Sequence, residues 1–401
     1  MLLARFVAKW NRPNALVPQA CLWHNTGMRQ KFSALLVLCL GMLLFSLSDA
    51  RADFYNVGFR TLGQWDAENG LRLDVNIWYP SVRPARDIQY GPWEISAARG
   101  GKPVDGRFPL ILLSHDTAGS RFSYHDTAAW LAACGFVVAA PTHPGDNMNN
   151  MDQLLTWEQL ESRVRELSGL VSFLLNDVET EPSIDHDRIG VLGFGAGGTA
   201  ALLLGGALPD CEGWKDYCAQ AGKHDMYCNV WAQNRMDGLC RSLPLTRSPA
   251  DTRIKAVAAV APGFGMLFGR ESFRWFYPPL LLVAAAGDNL NKVALHARKI
   301  YECTGKKARW LLLDKADAGA LMAPCPPSLA EELPELCRSV SEEDRKAVHK
   351  NMFAALSDFF LHYLGSGKNL PHIPAPPDLS PPLPPKQEPA PAPAQPSKRK
   401  R

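Results

Sequence analysis

The sequence predicts an α/β protein with a mostly parallel central sheet that is flanked by helices. Short apolar runs alternate along the chain with segments of helical spacing, a pattern typical of strand–helix–strand units. One glycine-rich stretch, 189–200, indicates a strand that passes through a sharp turn into a helix. Together these observations predict a parallel sheet that is buried on both faces.

Two extended segments, 54–61 and 71–80, are joined by the polar turn 66–70 and predict an antiparallel hairpin. The strands and helices expected next are strand Phe108–Ser114, helix Ser123–Cys134, strand Phe136–Ala140 and helix Trp157–Leu175. The polar residues 185–187 are predicted to form a turn before the strand 188–193.

A helix is expected over 197–208, after the glycine-rich turn. The polar, cysteine-containing residues 209–251 then interrupt the pattern and predict a cap insertion. The elements expected after it are strands 254–261, 280–285 and 310–313, a helix at about 291–304, and a closing helix 341–363. Ser341, followed by two glutamates, predicts the N-cap of that last helix.

Eight cysteines follow residue 52, and an even count in an exported chain favours disulfides. We expect cross-links within 211–240, whose connectivity the sequence leaves open, and one bond between Cys325 and Cys337. Cys134 is expected to be a buried free thiol. The four cysteines of 211–240 contain no C-x-x-C pair, and we predict no metal site.

The two ends of the chain differ in composition from the rest. Residues 28–52 predict a signal peptide within a leader that spans 1–52, with an uncleaved membrane anchor as the alternative. Residues 53–365 form the predicted folded domain, and 366–401 a proline-rich disordered tail. We therefore expect a periplasmic or secreted protein whose tail contacts the cell envelope.

Several stretches resemble the exported dienelactone-hydrolase-like branch of the α/β-hydrolases, which is akin to the platelet-activating-factor acetylhydrolases. The stretches that carry the resemblance are Val57–Arg60, Ile77–Pro80, Leu113–His115, Gly119–Arg121, Phe136–Pro141, His143–Gly145, the turn 193–198, Leu281–Val283, Asp288, Ala323–Cys325 and Asp344–Arg345. The resemblance implies an α/β-hydrolase fold and ester hydrolysis by a serine, an acid and a histidine.

The resemblance places the remaining triad acid at Asp288, which could equally cap the following segment. The serine position of the G-x-S-x-G turn is Gly195, and the histidine position is Ala320. His349, on the closing helix, is expected to be structural rather than catalytic.

Asp116 and Ala196 take the oxyanion-hole positions, and Ser114, His115 and Thr117 line the cleft beside them. Asp116 stands where the family has glycine. Its carboxylate either repels a developing oxyanion or points to solvent and accepts the N–H of Ala118.

The leading hypothesis is a catalytically silent hydrolase fold that is retained for binding a small molecule in the cleft. The alternative is an active ester hydrolase that uses a displaced nucleophile, with Ser114, Ser120 and Asp116 as candidates. The net charge of +3 is small for this length and predicts no nucleic-acid partner. No nucleotide or phosphate-binding motif is present, and we expect no cofactor.

Overall fold

A ten-stranded mixed sheet runs through the computed structural model, which describes residues 54–66, 71–243 and 249–365. Its strands are β1 Asn56–Asp66, β2 Leu71–Ser81, β3 Arg86–Tyr90, β4 Trp93–Arg99, β5 Phe108–Ser114, β6 Val137–Pro141, β7 Ile184–Phe194, β8 Ile254–Val260, β9 Leu280–Ala285 and β10 Arg309–Leu313. They follow the spatial order β10-β9-β8-β7-β5-β6-β2-β1-β4-β3. The six strands from β10 to β6 are mutually parallel, as predicted.

Helices cover both faces of this sheet. They are α1 His125–Ala133, α2 Trp157–Leu174, α3 Ala196–Leu204, α4 Trp214–Ala221, α5 Val230–Arg241, α6 Ala297–Cys303, α7 Ala318–Leu321, α8 Pro327–Glu332, α9 Pro334–Cys337 and α10 Glu342–Leu364. Successive residues of β5 point to opposite faces. Leu110 and Leu112 pack in the core cluster that includes residues of α2 and α3, whereas Ile111 and Leu113 pack in the cluster of α1 and α10.

The predicted opening hairpin is confirmed, because β1 and β2 pair antiparallel over eleven residues each. No strand or helix was expected over 82–107, but this segment contains the antiparallel strands β3 and β4. The buried positions Trp93, Ile95 and Ala97 alternate with exposed ones along β4, a signal that the sequence does carry.

Two boundaries were predicted wrongly. β7 begins at Ile184, before the expected turn, and the pairing with β5 jumps from Asp185 to Ile189, so the polar residues between them bulge from the strand. The helix expected from 291 begins only at Ala297, after a turn in which two backbone N–H groups share the carbonyl of Lys292. His296 accepts the N–H of Gly265 through Nδ1, and this tertiary contact holds the turn in place of a helix.

The predicted cysteine-rich insertion is present between α3 and β8, where it contains α4 and α5. Two disulfides cross-link it, Cys211–Cys240 and Cys218–Cys228, and a third joins Cys325 to Cys337 as expected. Cys134 is a buried free thiol. Structural disulfides form and persist in oxidising compartments.

The expected leader 1–52 and proline-rich tail 366–401 lie outside the described residues. Within the described part of the chain, no helix is long and apolar enough to cross a bilayer.

Candidate functional site

The turn between β7 and α3 has the backbone of a nucleophile elbow. Gly195 adopts φ 53° and ψ −118°, a conformation that costs a residue with a side chain about 1–3 kcal/mol. The flanking glycines allow close backbone packing: a side chain at Gly197 would lie 2.2 Å from the carbonyl oxygen of Ser114. The elbow is therefore pressed against the carboxyl end of β5, and the residues just after β5 face its tip.

The carboxylate of Asp116 fills the space above Gly195. A Cβ atom added to Gly195 would lie 1.8 Å from Oδ1 and 1.9 Å from Cγ of Asp116. Oδ1 accepts hydrogen bonds from the backbone N–H of Ala196 at 2.8 Å and of Thr117 at 2.7 Å. One carboxylate thus fills the volume that a side chain at 195 would take, and it also accepts the hydrogen bonds of the two N–H groups beside that volume.

The expectation that Asp116 points to solvent and accepts the N–H of Ala118 is wrong, whereas repulsion of a developing oxyanion stays a prediction. The N–H of Ala118 donates to Asp146 instead, at 3.4 Å, and Asp116 is only partly exposed. The carboxylate is hydrogen-bonded to the N–H group of Ala196, one of the two predicted oxyanion-hole positions, and to that of the cleft residue Thr117. Burial raises the pKa of Asp116 to about 6, although the N–H groups of Ala196 and Thr117 lower it.

Asp288 follows β9 and is buried, with a side chain that is engaged on one oxygen only. Oδ1 accepts the N–H groups of Leu290 and Asn291, so the residue caps the turn after the strand. Oδ2 has no hydrogen-bond partner among the described residues. Burial raises the pKa of Asp288. Asp288 therefore caps the turn through Oδ1, while Oδ2 is left without a hydrogen bond among the described residues.

Ala320 lies in the short helix α7, where its methyl group is fully buried in the core cluster of α10. Its N–H donates to Asp317 at 2.8 Å, and its carbonyl accepts from Nε2 of His349 at 2.9 Å. His349 also meets the carboxylate of Asp126 at 2.9 Å, which fits the structural role expected for it. No hydrogen bond in the described ranges joins Ala320 to Asp288.

Tyr227, which the sequence reasoning missed, reaches the elbow from the insertion. Its hydroxyl donates to Oδ1 of Asn291 at 3.0 Å. The N–H of Gly263 donates to the carbonyl of Gly195, and a Cβ atom added to Gly263 would lie 2.8 Å from the hydroxyl of Tyr227. Burial raises the pKa of Tyr227, and the carboxylate of Asp116 raises it further. Nothing in the local sequence identifies this residue, because its position depends on the folding of the insertion.

A buried polar network lies behind the elbow. Ser114 Oγ and His143 Nε2 are 2.8 Å apart, and His143 Nδ1 lies 2.7 Å from Oε2 of Glu166. Burial and the charge of Arg163 hold the pKa of His143 well below its usual value. The neutral imidazole therefore donates to the glutamate and accepts from the serine, which is the arrangement of a serine–histidine–acid relay.

The same network holds the cleft residue His115 and a buried ion pair. Nε2 of His115 accepts the N–H of His143, so Nδ1 carries the proton and donates to the carbonyl of Asp116 at 2.6 Å. Arg163 binds Oδ2 of Asp146 at 2.6 Å and donates to Ser114 Oγ at 3.2 Å. These contacts fix the backbone that carries Asp116.

Comparison with known proteins agrees with the architecture. The model of the dienelactone hydrolase family matches residues 96–213. A solved ferulic acid esterase from Streptomyces cinnamoneus is 17% identical, with a TM-score of 0.52 over 80% of this chain and 93% of that chain. No curated protein matches the chain. The fold and the elbow show that the chain has an α/β-hydrolase fold, and over residues 96–213 it is similar to the dienelactone hydrolase family.

Proposed function

We propose that this chain is an exported protein with the fold of a dienelactone-hydrolase-like esterase that forms no acyl intermediate and acts by binding a small molecule. The observation that carries the proposal is the carboxylate of Asp116, which occupies the space above Gly195 and accepts from the N–H group of Ala196. A substrate carbonyl would have to displace that carboxylate before it could reach the elbow.

Ester hydrolysis on this fold needs a nucleophile, a base and free oxyanion donors. Gly195 offers no hydroxyl, and the methyl group of Ala320 accepts no proton. The N–H groups of Ala196 and Thr117 are already bound to an anion. Only Asp288 would remain of the triad, and its Oδ2 has no hydrogen-bond partner among the described residues.

The proposed ligand contacts the mouth of the cleft above Asp116. Its walls are assigned to 114–121, 143–150, 316–325 and the insertion 209–251. Two partly or fully buried carboxylates, Asp116 and Asp288, favour a neutral or cationic ligand over an anion, because burial leaves their charge poorly screened.

The test is to offer the purified full chain short-chain nitrophenyl esters and a fluorophosphonate probe. We expect turnover and labelling no greater than those of the heat-denatured protein. A labelled side chain identified by mass spectrometry, or turnover that saturates with ester concentration, would overturn the proposal.

The second candidate function is ester hydrolysis with a displaced nucleophile, and the Ser114–His143–Glu166 relay is the observation that favours it. Two facts weigh against it. Ser114 has no exposed surface, and its oxygen already lies 3.2 Å from the guanidinium of Arg163.

The discriminating variant is Ser114→Ala, with Ser123→Ala as the control at a nearby buried serine that is not a candidate nucleophile. Under the displaced-nucleophile reading, only the first change abolishes whatever ester turnover the protein has. Under our proposal, the two variants behave alike.

Export to the periplasm or beyond the cell, and contact of the tail with the envelope, are parts of the same proposal. The three disulfides support an oxidising compartment. Cell fractionation and N-terminal sequencing test the first part, with Asp53 as the expected mature N-terminus. Deleting 366–401 should reduce recovery with envelope material, and unchanged recovery would contradict a role for the tail.

A further inference from the structure

A groove of about 830 Å³ lies between α1, α10 and the loop closed by Cys325–Cys337, and it shares no lining residue with the elbow. This volume is within the range of small-molecule sites in proteins. Its lining shares only Pro324 and Cys325 with the walls assigned to the proposed ligand cleft, and no pattern in the sequence predicted it.

One wall of the groove is aromatic and fixed. Trp130 and Phe353 stack with ring centroids 5.5 Å apart and planes 21° apart. The indole Nε1 donates to Oγ of Ser357 at 3.1 Å, so its polar atom is satisfied within the protein. Val340 and Ala354 extend the apolar lining. This wall suits a hydrocarbon or aromatic body.

The rim of the groove is cationic. Arg338, Arg345, Lys346 and Lys350 line it against a single carboxylate, Glu342. Glu342 pairs with Lys346 at 2.6 Å, and both of these side chains are exposed. The other three cations make no ion pair within the described residues.

Arg345 is the buried member of this set. It donates to the backbone carbonyls of Gly319, Met322 and Cys337, which orient the guanidinium without neutralising it. The only other titratable side chain on the lining is His349, which already meets the carboxylate of Asp126. The lining therefore carries a net positive charge beside an apolar wall.

We propose that this groove binds an amphipathic anion that has a single acidic head and an apolar body. The head pairs with Arg338 and Lys350, and the body packs on Trp130 and Phe353. Charge complementarity selects an anion, because a neutral apolar ligand would leave the cations unpaired and a cationic one would be repelled. The inference does not depend on the elbow, and a catalytically active elbow would leave it unchanged.

The test is calorimetric titration of the full chain with dodecanoate below its micelle concentration. Dodecylammonium and dodecanol serve as ligands of equal chain length with reversed and absent charge. We expect saturable binding of one dodecanoate, and at least tenfold weaker binding of the other two. Equal binding of all three, or no binding of dodecanoate, would overturn the proposal.

The double variant Arg338→Gln with Lys350→Gln removes the two exposed lining cations that make no ion pair among the described residues, and it leaves Arg345 and the pair Lys346–Glu342 in place. We expect about tenfold weaker binding of dodecanoate, since each exposed charge pair contributes modestly. The matched control is Arg83→Gln with Lys223→Gln, two exposed positions off the groove, and it should bind as the parent does. Unchanged urea midpoints show that all variants are folded.

Two further experiments distinguish a free ligand from other occupants of the groove. Vesicles of phosphatidylglycerol test a membrane surface, because they present acidic amphiphiles in a bilayer rather than as free molecules. Binding to vesicles with no binding of free dodecanoate would overturn the free-ligand proposal in favour of a lipid surface. Self-association that the groove double variant abolishes, again without dodecanoate binding, would overturn it in favour of a second copy of the chain.

Discussion

Replacing Gly195 with serine restores the residue type that an elbow normally carries, and we expect it to destabilise the protein rather than activate it. The new Cβ would lie 1.8 Å from Oδ1, 1.9 Å from Cγ and 2.2 Å from Oδ2 of Asp116. No rotamer of the serine relieves this overlap, because Cβ itself causes it. The carboxylate must move away and give up the N–H groups of Ala196 and Thr117.

The size of the effect follows from two contributions. Losing two hydrogen bonds to a charged acceptor costs about 1.5 kcal/mol each at the low end of the usual range. The backbone conformation at 195, with φ 53°, adds about 1–3 kcal/mol for a residue with a side chain. The free energy of unfolding should therefore fall by about 4–6 kcal/mol, measured by urea denaturation with tryptophan fluorescence as the probe.

Gly100 offers a matched control. Its φ is 60°, and a Cβ added there meets nothing within 4 Å. Gly100→Ser therefore carries the backbone strain without the overlap and should cost only about 1–3 kcal/mol. Gly195→Ala should cost nearly as much as Gly195→Ser, since the overlap begins at Cβ.

A double variant isolates the contact with Asp116. Adding Asp116→Gly to Gly195→Ser removes the overlapping carboxylate, so the two changes together should cost about 2–3 kcal/mol less than the sum of the single changes. If Gly195→Ser is no less stable than Gly100→Ser, or if Asp116→Gly gives no relief, the assignment of this carboxylate to the space above the elbow is refuted.

Three further predictions concern the same region. The pKa of Asp116 in the folded protein is about 6, above the usual 3.8. The free energy of unfolding should therefore fall as the pH rises from about 4 to about 6, and stay at the lower value above pH 6. Asp116→Asn should therefore raise the free energy of unfolding by about 1–2 kcal/mol at pH 7.5 and leave it unchanged at pH 4, and the opposite order in urea midpoints would contradict this. Arg163→Met should cost about 3–5 kcal/mol because it leaves Asp146 buried without its cationic partner, and a loss below 1 kcal/mol in the same measurement would mean that the pair is unimportant. Adding Ala320→His to the Asp116→Gly, Gly195→Ser variant should give no turnover of nitrophenyl acetate, because the side chain at 320 points into the core, and measurable turnover would show that a side chain at 320 reaches the cleft.

Local patterns were enough to predict the central strands. Phe108–Ser114 coincides with β5, and Ser341 caps α10 through the N–H of Asp344 as its sequence indicates. Such elements depend on apolar periodicity and on side chains within one turn, which are visible in the sequence. The helix expected from 291 failed because a tertiary contact of His296 outweighs local propensity.

The chemistry of the site was only partly accessible to sequence reasoning. The absence of a serine at 195 is a fact of the sequence, and the positive φ of that residue follows from the strand–turn–helix pattern. The bond from the N–H of Ala196 to Asp116 joins residues 80 positions apart, and no local rule predicts it. Tyr227 was missed for the same reason, since its place beside Gly263 depends on how the insertion folds.

Gly195 and Asp116 each restrict which residue the other position accepts. A serine at 195 overlaps the carboxylate of Asp116. Replacing Asp116 alone leaves the N–H groups of Ala196 and Thr117 without their acceptor, and the elbow still lacks a nucleophile. Neither single change restores an esterase, and the first destabilises the fold. The two residues therefore form one arrangement, in which the space above Gly195 is filled by the carboxylate of Asp116. Because that carboxylate is bound to the N–H group of Ala196, the arrangement supports the proposed binding function over an enzyme with weakened catalysis.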